Sequence, residues 1–252
     1  MKSKATILVF FLFLKISLAQ NGLEGLIVEK YYKSDNNDTT VNDVGGKLPV
    51  GSVTYRFYLD LLPNYKFQAT YGLPGHELRI ETSTLFFNNE DRGDVQPNYT
   101  KSNAKDNTVM LDSWLSSGAA CIGNFGVLKT EDTDGTIGNL QNILANTDPL
   151  IGLPITGTGA QDGLMPGTPT LPNVLGITSE LDLFDQTAGN DFTTNGAAIA
   201  ALGGVEGVTT SNHVLLGQFT TDGVFSFHLN IQLSTPVPGE SQIFVSDSAE
   251  TN

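Results

Sequence analysis

From residue 224 to 233 the chain alternates with a strict period of two. Phe225, Phe227, Leu229, Ile231 and Leu233 fall on one face, and Ser226, His228, Asn230 and Gln232 on the other. An extended backbone turns successive side chains to opposite sides, so the pattern specifies a strand with one face on a core and the other toward water. Residues 214–220 read as its partner. Thr221-Asp222-Gly223 supplies an Asp-Gly turn, and together these predict a hairpin.

A second clear strand covers 52–60, with Val53, Tyr55, Phe57 and Leu59 facing one way and Thr54, Arg56, Tyr58 and Asp60 the other. Residues 26–32, 65–71, 77–87 and 108–115 are also rich in β-branched and aromatic side chains. Pro49-Val50-Gly51, Pro63-Asn64 and Leu73-Pro74-Gly75 punctuate them. Many short strands between such turns predict an all-β chain, a β-sandwich of jelly-roll or Ig-like kind, not alternating βαβ units. Residues 116–210 differ, being dominated by Gly, Thr, Asn, Asp and Pro. They are expected to supply short strands and long loops on one edge, with short helices at 179–186 and 197–202. The organisation expected is one sandwich domain over 20–252 with this loop-rich middle.

The N-terminus reads as a removable leader. Met1-Lys2-Ser3-Lys4 is basic, an apolar run follows from Ala5 to Leu14, and Ser17-Leu18-Ala19 places small residues where signal peptidase inspects the chain. The run is too short to span a bilayer, which takes roughly 20 apolar residues. Loss of 1–19 removes Lys2, Lys4 and Lys15 and no acid, so the formal charge moves from −14 to −17. So acidic a chain is not expected to bind nucleic acid or an anionic membrane surface. Cys121 is the one cysteine, which excludes an intrachain disulfide; among Gly118, Ala119, Ala120 and Ile122 it reads as a buried inert thiol.

Catalytic motifs are sparse. There is no Gly-x-Ser-x-Gly elbow, no His-Glu-x-x-His and no phosphate-binding glycine loop. His228 and His213 read as surface residues of strands, and no zinc site is expected. Paired carboxylates for glycoside hydrolysis leave no local signature; Glu29, Glu77 and Glu81 are conceivable members. The acidic turns are more specific. Asn88, Asn89, Glu90 and Asp91 offer several oxygens within one turn, and Glu131-Asp132-Thr133-Asp134-Gly135 resembles the first half of a calcium loop, with Asp132 and Asp134 as ligands. It departs from an EF-hand at its twelfth position, Ile143, and Asp35-Asn36-Asn37-Asp38 is a third candidate. The same residues are ordinary turn formers. Arg92-Gly93-Asp94 matches a cell-adhesion tripeptide, a match that arises easily by chance, and Asn37 and Asn98 open glycosylation sequons that matter only in a eukaryotic host. Trp114 and Tyr71 are the candidates for stacking on a sugar, although strand aromatics mostly fill cores.

The segments Gly25-Leu26-Ile27-Val28-Glu29-Lys30-Tyr31-Tyr32, Leu48-Pro49-Val50-Gly51-Ser52-Val53-Thr54-Tyr55-Arg56, His76-Glu77-Leu78, Phe86-Phe87-Asn88-Asn89-Glu90-Asp91 and Asp112-Ser113-Trp114-Leu115 resemble uncharacterised secreted proteins of Bacteroidota. The resemblance covers most of 24–130. It implies a secreted or cell-surface location and carries over no functional residue. The chain closes on Ser248-Ala249-Glu250-Thr251-Asn252 without that group's sorting tail, which is expected of a freely released protein or of a segment of something longer. The leading expectation is a non-catalytic extracellular surface protein, serving adhesion, structure or filament formation, with calcium as a candidate stabilising ion. Its expected partners are an extracellular polysaccharide, a surface component or a second copy. A carbohydrate-binding module and a secreted glycoside hydrolase or lyase are the alternatives.

Overall fold

The alternating segments form strands whose larger apolar faces meet. The computed structural model describes residues 21–34, 36, 46, 48–98, 108–118, 120–121, 165–166, 173–176, 180–185, 188–207, 210–246 and 250–251. The first layer is a four-stranded antiparallel sheet in the order β1 (Leu23–Lys33), β2 (Val53–Leu61), β11 (His213–Thr221) and β5 (Trp114–Leu115).

The second layer is a bent surface written as two sheets. One has the order β14 (Ser241–Phe244), β13 (Asn230–Ser234), β3 (Lys66–Tyr71), β10 (Ala198–Val205), β8 (Asn173–Leu175). The other runs β15 (Glu250–Thr251), β12 (Phe225–His228), β4 (Leu78–Thr82), β9 (Asp191–Thr194). Each inner strand of one sheet continues into the other: β3 into β4, β9 into β10, β12 into β13. At the first junction Pro74-Gly75 closes a turn in which the His76 N–H donates to Leu73 O. Gly75 takes φ 85°, open to glycine without steric cost. Two further short strands, β6 (Ala120–Cys121) and β7 (Met165–Pro166), pair in parallel.

Between the layers lies an aromatic core. Phe225 sits at its centre, stacked on Tyr55 with centroids 5.2 Å apart and on Phe219 at 5.6 Å, with Phe57, Phe86 and Phe227 around it. Every apolar position of the 224–233 alternation from Phe225 to Leu233 is buried in this core.

Two expectations are corrected. Residues 214–220 and 224–233 are strands, but they do not form a hairpin. β11 pairs with β2 and β5, whereas β12 pairs with β4 and β15. Thr221-Asp222-Gly223 is therefore an arch from one layer to the other. It docks on 83–84, where Thr84 Oγ1 donates to Asp222 Oδ1 and Val224 N–H to Ser83 Oγ. The arch brings Phe219 of β11 and Phe225 of β12 face to face across the core, where both are buried. Residues 197–202 are not helical but enter β10, because Ile199 and Ala201 alternate inward while β3 and β8 take up the backbone hydrogen bonds on either side. The other expected helix is a 3-10 turn, Glu180–Phe184. The middle region thus supplies β10, an interior strand of its sheet, as well as edge structure.

The second face of the four-stranded sheet is covered too. Tyr31, Tyr32, Tyr58 and Leu215 pack against Leu48, Trp114 and a 3-10 turn at Val109–Leu111. Register sets Glu29, Arg56, Gln218 and Trp114 in one row across all four strands. Each is at most 1 % exposed. Arg56 Nε donates to Gln218 Oε1 at 3.0 Å, and its guanidinium lies 3.7 Å from the centroid of the Tyr31 ring. The Tyr58 hydroxyl donates to Glu29 Oε2 at 3.1 Å. Gln218 Nε2 donates to the carbonyls of Met110 and Asp112, fastening the covering segment to the sheet.

Replacing the central ring tests the core assignment. Phe225→Ala is expected to cost about 3–5 kcal/mol of unfolding free energy, read by urea denaturation. A loss below about 0.5 kcal/mol, the range of an ordinary surface change, would contradict it.

Candidate functional site

The outer face of the five-stranded sheet carries an open cleft. Phe67, Val205 and Leu233 share a register row and point into the core, as do Thr70, Ile199 and Ile231. The alternate rows therefore face outward: Lys66 with Ser234 and Ser241; Ala69 with Ala200, Gln232 and Ile243; Tyr71 with Ala198 and Leu175.

Two irregularities raise walls on this face. Gln68 is an extra residue of β3 opposite β13, and residues 202–204 bulge out of β10, with Gly203 and Gly204 at φ 83° and 75°. On the other side the β13–β14 turn stands up over Thr235, Pro236, Val237, Pro238, Gly239 and Glu240. It is stiffened by its two prolines and by the Thr235 N–H bond to Glu240 O and the Glu240 N–H bond to Val237 O. The result is a cleft of about 690 Å³.

Its floor is polar. Gln232 Nε2 donates to Gln68 Oε1 at 2.9 Å, which leaves the Gln68 amide N–H groups and the Gln232 carbonyl for other partners. Lys66 and Ser234 lie alongside, and Asn64, Glu206 and Glu240 complete the rim. Both carboxylates are exposed. The cleft can form hydrogen bonds of both senses, and its rim holds one cation and two anions.

The residues singled out from sequence fall elsewhere, with one exception. Tyr71 belongs to the cleft's own face and is half-buried; desolvation raises its phenol above the ordinary value. Trp114 is 0 % exposed, packed within the covered face of the other sheet, 5.9 Å from Arg56, and its Nε1 has no hydrogen-bond partner. Asn88 Nδ2 donates to Leu183 O. Asn89 Oδ1 accepts the N–H groups of Asp91 and Arg92, and its Nδ2 donates to Thr108 Oγ1. These two amides are thus internal struts, while Glu90 and Asp91 stand in solvent. No group of three or more His, Cys, Asp or Glu side chains converges among the described residues. Asp132, Asp134, Asp35, Asn37 and the leader 1–19 lie outside the described residues. Glu77 and Glu81 flank Arg79, with Nη–Oε distances of 3.3 and 4.0 Å, whereas Glu29 lies buried in the other layer. His213 Nε2 sits 3.1 Å from Asp60 Oδ1, and His228 Nδ1 meets Glu77 O. Arg92-Gly93-Asp94 is folded into a turn: Gly93 is buried, its N–H bonds Asn89 O, and a Cβ there would come within 2.5 Å of that oxygen.

Sequence reasoning passed over Asp112. Its carboxylate accepts the N–H of Asn89 on Oδ1 at 2.8 Å and of Asp94 on Oδ2 at 3.1 Å, and so holds the 89–94 turn. Burial pushes its carboxyl well above the usual range, against the lowering by those two N–H groups. No sequence motif marks it. Gln68 and Gln232 were equally unmarked, since glutamines on the polar face of a strand look like solvent-facing filler.

Compared with models of known families, with curated proteins and with solved structures, the chain has no match. The cleft's chemistry therefore rests on its own geometry.

The raised carboxyl of Asp112 has a consequence for stability. Between the ordinary aspartate value near 3.8 and the raised native one, the folded chain keeps a proton that the unfolded chain has released. Stability contributed by this group is therefore fully present below that window and is lost as pH rises through it. Asp112→Asn is expected to flatten this part of the urea-midpoint profile, whatever constant offset the lost acceptor introduces. Parallel profiles for the two proteins would contradict the assignment.

Proposed function

We propose that this protein is exported and acts outside the cytoplasm as a non-catalytic surface module, working by binding. The observation that carries the reading is the cleft itself. It stands on the outer face of the five-stranded sheet, and its polar groups are amides, hydroxyls and exposed charges. A general acid in a glycosidase is typically held in a desolvating pocket beside a second carboxylate. Glu206 and Glu240 instead stand in water on opposite walls, an arrangement suited to recognition.

Export is supported by the basic-apolar-small order of residues 1–19, and by the resemblance of the 24–130 segments to secreted proteins of Bacteroidota. Chemistry at the surface adds to this. The formal charge of −14 keeps such a chain soluble and away from phosphate-rich partners. The sandwich is built without a disulfide, its stability resting on the phenylalanine core and the buried polar row. An adhesive or structural role fits a rigid scaffold that presents one preformed face, because a cleft walled by prolines and sheet backbone loses little entropy when it binds.

Fractionation of the source cells tests the reading. The chain should be recovered from the medium or the intact cell surface, with Gln20 as its N-terminal residue by mass spectrometry. An unprocessed chain confined to the cytoplasm would contradict it.

A further inference from the structure

The cleft's lining narrows the ligand class further. Resting on the reading of the protein as an exported binding module, we infer that this cleft takes a strand of neutral polysaccharide, and that Tyr71 extends the site along the sheet. Sugar hydroxyls both donate and accept. The floor answers in kind, with the Gln68 amide N–H groups, the Gln232 carbonyl and the Ser234 hydroxyl within one patch.

The wall formed by Pro236, Val237 and Pro238 adds an apolar ridge, of which Val237 is 51 % exposed. Such a ridge suits the C–H face of a pyranose. Charge selects against acidic glycans: Lys66 is outnumbered by Glu206 and Glu240 at the rim, and the chain as a whole is strongly acidic. A uronate polymer entering here would meet repulsion from the cleft and from the field around it.

The ligand is a polymer and not a single sugar because the floor does not end at the cleft. β3 carries it onward over Ala69, with Ala198 and Ala200 beside it, to Tyr71. Five residues of strand separate Lys66 from Tyr71, roughly 16 Å. Small side chains keep this stretch low, and the half-buried phenol ring at its end offers a second surface for a sugar. Binding should therefore strengthen with oligosaccharide length until the strand reaches Tyr71.

Isothermal calorimetry with the purified chain tests this. The probes are the cello-, xylo-, manno- and laminari-oligosaccharide series from disaccharide to hexasaccharide, with oligogalacturonates as the acidic comparison. At least one neutral series should bind, with affinity rising with length, and the oligogalacturonates should not. The double variant Gln68→Ala/Gln232→Ala should bind the preferred series about tenfold more weakly with an unchanged Tm, since it loses hydrogen bonds at the surface and nothing from the core. Tyr71→Ala should keep the affinity for short members and lose the gain with length.

Absence of binding across all four neutral series, tighter binding of oligogalacturonates, or a glutamine variant that binds like the parent would each overturn the inference. Those failures in a chain found outside the cytoplasm leave the reading as an exported module standing. Release of new reducing ends during the titrations would overturn the non-catalytic reading while leaving the cleft's ligand class in place.

Discussion

The guanidinium of Arg56 is a cation placed in the interior of a β-sheet protein, and much of the architecture follows from accommodating it. An isolated charge taken out of water costs several kcal/mol. Here Glu29 sits directly opposite on β1, Gln218 accepts from Nε on β11, and the face of Tyr31 lies 3.7 Å away. A desolvated cation over an aromatic ring gains about 2 kcal/mol. Together these partners require the face of the four-stranded sheet to be closed, and the covering segment closes it. Gln218 ties Met110 and Asp112 down, Ser113 Oγ donates to Phe87 O and accepts Thr220 N–H, and Asp112 in turn gathers the 89–94 turn.

That closure distinguishes this layer from the other. A sandwich has two outward faces, and this one spends the first on a buried polar layer. Among the described residues the outer face of the second layer is left open, and the β10 bulge and the proline-stiffened β13–β14 turn shape it into a cleft. The division of labour is physical. The covered face gives rigidity through hydrogen bonds in a low dielectric, where they are strong and where orphaning one is costly. The open face gives contact area built on backbone that the core already holds still.

Much of this was legible in the sequence, though unevenly. The alternations at 52–60 and 224–233 identified the core residues of β2, β12 and β13 because one face of each meets the same apolar interior. What alternation cannot express is what lies over the other face. Alternation set Thr54, Arg56 and Tyr58 on the face opposite Val53, Tyr55 and Phe57 and could not tell that this face is buried too, since the segment that covers it is distant along the chain. The Asp-Gly signal at 222–223 located a reversal correctly but not its kind, because a turn between paired strands and an arch between layers use the same local chemistry. Ala and Leu at 197–202 favour helix locally, and the sheet overrode that preference by pairing both edges of β10. Asn88 and Asn89 resembled cation ligands for the reason they serve as struts: a side-chain amide satisfies backbone groups in a tight turn. The cleft was invisible because it is made by irregularities of register between strands far apart in sequence.

A double-mutant cycle across the buried row tests the dependence on Arg56 most directly. Arg56→Met and Gln218→Met each leave an unbranched apolar side chain and remove one partner of the 3.0 Å contact. If the row acts as a unit that fastens the cover to the sheet, the two losses of unfolding free energy will be non-additive by about 1 kcal/mol or more. Losses that add to within about 0.5 kcal/mol would mean that the two residues act independently, and would contradict the fastening role of the polar layer.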